Sequence, residues 1–141
     1  MAYEKRITVR FPDVDYARIV YYPHFFDFCH QIFEDFFTDE VKVPYARMLT
    51  ERKVGYPSVH AEADFTAPLR FGDEMRVVME VTRISARSVT CRYHFFKGEL
   101  PCAKCVVVVA TVDMDTFQGT DLPADVRAAF ERHRAKDAAP A

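Results

Sequence analysis

Residues 23–37 constrain this chain more than any other segment. Phe25, Phe26, Phe28, Cys29, Ile32, Phe33, Phe36 and Phe37 fall at i, i+1, i+3, i+4, i+7, i+8, i+11 and i+12. That spacing lays a wide apolar face along three or more turns of a single helix. Pro23 suits the first helical position, where its missing N–H removes no hydrogen bond. Such a face has to be covered by something. It carries more aromatic surface than one stripe requires, so part of it is expected at a subunit interface or a ligand channel.

The rest of the chain supplies a sheet. Residues 4–11 alternate, with Ile7, Val9 and Phe11 expected on one face and Thr8 and Arg10 on the other. Residues 12–23 read as a loop. A short helix is expected over residues 45–52, after Pro44 and before Gly55. Strands are expected over residues 58–68, 74–85, 88–97 and 102–113, joined by connections short enough for antiparallel neighbours. Residues 105–110 are apolar on both faces, which places that strand centrally. Residues 124–136 read as a polar helix and residues 137–141 as a loose tail. With one helix apolar enough for a core, the expectation is a single α+β domain over residues 1–141. In it an antiparallel sheet of about five strands wraps around one long apolar helix.

Composition excludes several classes. The formal net charge is −2, 28% of residues are charged, and no Lys/Arg run is present. A general nucleic-acid binder needs the opposite balance. No stretch approaches the roughly 20 apolar residues of a membrane helix. The first residues lead directly into a strand pattern rather than a signal peptide, so a cytoplasmic location is expected. Cys29, Cys91, Cys102 and Cys105 are then expected as free thiols. The Cys102/Cys105 pair sits in a strand, where residues three apart face opposite ways, and suits structure better than metal.

Chemistry concentrates in the loop before the helix, at Asp13 and Asp15. A helix N-terminus offers unpaired N–H groups and partial positive charge, able to polarise a carbonyl and hold an oxyanion. A nearby carboxylate can attack that carbonyl or activate a water. Together these suffice for a thioester, because a thiolate leaves readily without a metal or strong acid. The competing reading makes both aspartates turn residues that bind local backbone. A metal reading rests on the echo of Asp13-Val-Asp15 in Asp113-Met-Asp115, which lacks a nearby ligand set.

Asp15-Tyr-Ala-Arg-Ile-Val-Tyr-Tyr-Pro23, followed by an aromatic helix, resembles the 4-hydroxybenzoyl-CoA thioesterase family of hotdog proteins. The likeness continues through Gly55-Tyr-Pro-Ser-Val, Ala63-Asp-Phe-Thr-Ala-Pro-Leu-Arg-Phe-Gly-Asp73 and Ser85-Ala-Arg-Ser88. The resemblance implies a hotdog fold and hydrolysis of an aromatic or short-to-medium acyl-CoA to the free acid and CoA. It implies Asp15 as nucleophile or general base and the backbone N–H of Tyr22 as oxyanion donor. It places Arg87 as a cation for the CoA phosphates. It also implies a homodimer, paired into a homotetramer, with the site between subunits and no cofactor or metal. Arg18 stands where the family usually has glycine or another small or polar group, and either narrows the pocket or offers the substrate a positive charge. Tyr21 and His24 complete the expected substrate-binding set. Arg70 and Asp73 are expected to fix a turn rather than to bind. The alternatives are a thioesterase acting on acyl carrier protein esters and a non-catalytic acyl-CoA binder.

Overall fold

Alternation of apolar and polar residues builds the sheet, and the structure, a computed structural model, describes residues 2–138. Its strands are β1 (Tyr3–Thr8), β2 (Val54–Gly55), β3 (Ser58–Phe65), β4 (Glu74–Ile84), β5 (Ser88–Lys97), β6 (Leu100–Ala110) and β7 (Val112–Asp113). Five of them form one antiparallel sheet in the order β1-β4-β5-β6-β3, while β2 and β7 pair separately. Met75, Val77, Met79 and Val81 of β4 are buried, as are Val89, Cys91, Tyr93 and Phe95 of β5. A period of two turns these eight side chains to one face. β6 has neighbours on both sides, as its apolar run implies, and β5 takes the middle position. The β5–β6 hairpin closes over Gly98 and Glu99, and Gly98 supplies a φ of 60° that a side chain would resist.

α1 (His24–Phe36) lies on the buried face and continues into a π turn at Phe37–Val41, which ends at Lys42 in the left-handed region. Phe25, Phe28, Cys29, Ile32, Phe33, Phe36 and Phe37 are all buried. The Phe25 and Phe95 rings meet edge to face at 5.2 Å. Each fully buried phenylalanine contributes roughly 1.5–3 kcal/mol, so this face dominates the core. α2 (Tyr45–Thr50) follows, and no helix among the described residues is long and apolar enough to cross a membrane.

Three expectations need correction. The C-terminal helix, α3 (Ala124–Arg132), is a second core element rather than a wholly polar one. Its Val126, Ala129 and Phe130, spaced i, i+3 and i+4, are buried, and Phe130 stacks on Phe36 at 5.0 Å. Phe11 does not continue the inward face of β1. The chain leaves the strand at Thr8 and turns at Phe11–Asp13, leaving Phe11 75% exposed against Phe71. The tail is anchored further along than expected. The Val81 N–H donates to the His133 carbonyl, the Ala135 N–H to the Val81 carbonyl, and Arg92 donates to Asp137 at 2.9 Å. Residues 139–141 lie outside the described residues.

Candidate active site

The loop before α1 is a small ladder, not open coil. Val14 bridges Val20, the Asp15 N–H donates to the Ile19 carbonyl at 3.0 Å, and the Tyr21 N–H donates to the Asp13 carbonyl at 2.9 Å. Reversing direction between residues 15 and 19 forces Arg18 to a φ of 70°. The Val20 N–H donates to the Leu69 carbonyl at 2.8 Å, which ties the ladder to the chain entering β4.

The two aspartates have different tasks. Asp13 Oδ2 accepts from the Arg10 N–H at 2.8 Å, closing the turn, and Oδ1 lies 3.8 Å from His24 Nδ1. Asp15 Oδ1 accepts from the Ala17 N–H at 2.8 Å. That bond is the turn interaction foreseen for both residues. It orients the carboxylate, and among the described residues it is the one hydrogen bond the Asp15 side chain makes. Asp15 lines an open recess of about 590 Å³ with Phe11, Tyr16, Arg18, Arg70 and Phe71.

At the helix start, the His24, Phe25 and Phe26 N–H groups donate to the carbonyls of Tyr21, Tyr22 and Pro23. These i→i−3 bonds use donors that a helix usually leaves free. The Tyr22 N–H is the first without an acceptor among the described residues, at the positive end of the helix dipole. Tyr22 follows Tyr21, the last residue of the ladder, at the turn into α1. On the Tyr22 side is an apolar recess of about 370 Å³ lined by Ile19, Val20, Phe25, Phe65 and Leu69, with no charged side chain.

Tyr21 and His24 join this end of the helix, with rings 6.0 Å apart. His24 Nδ1 is buried and has no hydrogen-bond partner. Arg87 does not join it. It sits past the far end of β4, an eleven-residue strand whose near end abuts the loop, so about 30 Å of sheet separates it from Asp15. Its guanidinium is also engaged, donating to Asp121 at 2.9 Å. The thiols are not candidates for nucleophile. Burial pushes Cys91 up to about 12 and Cys29 well above the ordinary thiol range, leaving both protonated. For Asp73, partial burial works against ionisation, but the Arg70 N–H and Lys97 hold the carboxyl below the usual range. Asp73 therefore closes the turn, as foreseen, whereas the Arg70 side chain points into the recess. Sequence pattern alone could not place Arg70 in this recess, because Phe11, Asp15 and Arg18, which share it, lie far from Arg70 along the chain.

Residues 9–130 match the thioesterase-like superfamily. The chain belongs to this superfamily. A 1,4-dihydroxy-2-naphthoyl-CoA hydrolase from Nostoc punctiforme is 26% identical over 134 residues, spanning 95% of this chain and 90% of that protein. The Synechocystis hydrolase of the same name is 30% identical over 97 residues, covering 69% of this chain and 68% of that one. Among solved structures, a gentisyl-coenzyme A thioesterase is 26% identical with a TM-score of 0.80, covering 92% of this chain and 99% of the other. A 1,4-dihydroxy-2-naphthoyl-CoA thioesterase from Synechocystis has a TM-score of 0.84 at 24% identity, over 92% of this chain and 96% of that one, and shares the fold. The superfamily member is a thioester hydrolase with the hotdog fold. Its likeness to the 4-hydroxybenzoyl-CoA thioesterases holds at superfamily level, since these relatives carry other acyl names.

Proposed function

We propose that this superfamily member hydrolyses aromatic acyl-CoA esters to the free acid and CoA. The observation that carries the reading is the presence, in one short ladder before α1, of a turn-oriented Asp15 carboxylate and a Tyr22 N–H without an acceptor among the described residues. The carbonyl oxygen accepts from the Tyr22 N–H, which stabilises the charge that develops there. Asp15 attacks the carbonyl carbon, or takes a proton from a water that does, and the CoA thiolate departs. If Asp15 attacks directly, water then cleaves the mixed anhydride and restores the carboxylate. The relatives named for naphthoyl and gentisyl esters favour an aromatic acyl group, and the apolar recess beside Phe25 and Phe65 can receive one.

Tyr21 and His24, beside the helix start, and Arg18, in the recess that Asp15 lines, are assigned to substrate binding in this reading. The working unit in this reading is a homodimer, two of which pair into a homotetramer. Strand β3 supports it. It is an edge strand exposed on both faces, with Val59 63% and Phe65 48% exposed, as a strand awaiting a partner strand would be. In this reading Arg87 enters the site from a second subunit, with its Nε held by Asp121. The reading is tested by thiol release from a panel of benzoyl, gentisyl, naphthoyl and straight-chain esters on CoA and on acyl carrier protein. Aromatic CoA esters are expected to turn over fastest. Failure to release thiol from every ester, despite binding them, would leave a non-catalytic binder.

A further inference from the structure

Two polar atoms at the start of α1 face each other without bonding. His24 Nδ1 is enclosed and has no hydrogen-bond partner among the described residues. It lies 3.8 Å from Asp13 Oδ1, about 1 Å beyond a hydrogen bond. Asp13 is the more enclosed of the two, with its side chain 17% exposed. Its other oxygen, Oδ2, accepts from the Arg10 N–H at 2.8 Å, and Oδ1 makes no hydrogen bond among the described residues. An enclosed polar atom without a partner costs stability, so most such atoms in folded proteins are paired. A small rotation of the imidazole satisfies both atoms at once, and contacts that matter in a reaction are often long until substrate is bound.

The backbone around this pair gives the contact a consequence. The Tyr22 N–H and the Tyr21 carbonyl belong to one planar trans peptide, so they point in opposite directions and turn together. That carbonyl accepts from the His24 N–H at 2.8 Å. On the preceding peptide, the Tyr21 N–H donates to the Asp13 carbonyl at 2.9 Å. Asp13 is itself held at Arg10, through its N–H at 3.0 Å and its carboxylate at 2.8 Å. Asp13 therefore holds one side of Tyr21 and His24 the other. One more bond, from His24 Nδ1 to Asp13 Oδ1, closes a ring around the Tyr21–Tyr22 peptide. An open ring lets that peptide rock, whereas a closed one fixes the direction of the Tyr22 N–H.

We propose that His24 and Asp13 are positioning residues for the Tyr22 N–H. The imidazole carries a proton on Nδ1, donates a hydrogen bond to Asp13 Oδ1, and so holds the Tyr21–Tyr22 peptide in one orientation. Neither of these two atoms has to touch the ester. The inference rests on the thioesterase reading for the use made of the Tyr22 N–H, but not for the pair itself. It gives Asp13 a task beyond closing its turn, and it leaves the exposed part of the His24 ring to the substrate.

The test has a spectroscopic arm and a kinetic one. In the full chain carrying isotope-labelled histidine, nitrogen NMR is expected to find a proton on His24 Nδ1. The Tyr22 amide resonance is expected to shift in His24→Ala. It should return towards its original position in His24→Asn, whose side-chain amide can also donate to Asp13. A bare Nδ1, or a Tyr22 amide indifferent to His24→Ala, overturns the proposal. Kinetics use the aromatic acyl-CoA that the ester panel turns over fastest. Loss of a whole oxyanion donor costs about 10²–10³ in kcat, so a misaimed one in His24→Ala is expected to cost about tenfold, with KM within about twofold. His24→Asn is expected to recover most of that loss. A raised KM with kcat intact, or His24→Asn as slow as His24→Ala, overturns the proposal. His24→Phe keeps the bulk of the ring without its donor, and replaces His24→Ala if a thermal melt shows that variant unfolded. Absence of any hydrolysis by the unaltered chain would sink the thioesterase reading and leave the two resonances to judge the pair.

Discussion

The two ends of α1 use the same side chains to opposite ends. At its C-terminal end Phe33, Phe36 and Phe37 are buried with Tyr56 and Phe130, ring against ring at 5.0–6.2 Å. At its N-terminal end Phe11, Tyr16, Tyr21, Tyr22, Phe65 and Phe71 stay between 46% and 103% exposed. Aromatic surface buried in a core holds the fold together, whereas the same surface left open costs stability until something covers it. The left-handed Arg18 and the unpartnered Tyr22 N–H lie at the open end as well. One end of the helix therefore stabilises the molecule, and the other leaves backbone and ring surface uncovered.

The largest expected effect separates chemistry from stability at the open end. Asp15→Asn should lower kcat for acyl-CoA hydrolysis by about 10³–10⁴-fold, with a thermal midpoint within a few degrees of the parent chain. Retained turnover would show that another group does the chemistry. At the closed end, Phe36→Ala should cost about 3–5 kcal/mol in urea denaturation, because it opens a void between Phe130 and Tyr3. If Phe65→Ala proved equally destabilising, the contrast between the ends would fail. That variant is expected instead to cost under about 1 kcal/mol and to raise KM for an aromatic ester severalfold.

Acid should weaken the closed end selectively. Burial holds the His133 ring, 2% exposed, below its ordinary value, although Glu40 at 3.3 Å opposes that shift. A histidine whose folded-state value is depressed takes up its proton on unfolding. Stability should therefore fall as pH drops below about 6.5, with a slope of up to about 1.4 kcal/mol per unit. His133→Asn should flatten that slope in pH-dependent melts while leaving KM alone. The smallest effect is at the turn. Arg18→Gly relieves a positive φ and should raise stability by about 0.5–1 kcal/mol, while weakening any anionic ligand of the recess.

Much of this was legible in the residues. The spacing from Phe25 to Phe37 dictated a core helix, because a 3.6 period of phenylalanines has no other stable arrangement beside an alternating sheet. Turn bonding by Asp13 and Asp15 was also foreseeable, since both carboxylates accept from nearby backbone N–H groups as turn residues do. Phe130 was not, because three apolar positions in a polar helix are a weak signal until Phe36 is found stacked against them. Phe11 was misplaced because alternation continues in sequence past the point where Pro12 turns the chain away.

The sequence by itself determined the helix, the sheet and the residue types in the loop before α1, since these follow from local periodicity and turn chemistry. Only the tertiary structure decided which of them meet. It set Arg87 at the far end of β4 and brought Arg70, Phe71, Phe11 and Arg18 together around Asp15. Strand pairing fixes such distances, because register converts sequence separation into ångströms along a sheet, and no periodicity within a segment encodes which strands will be neighbours.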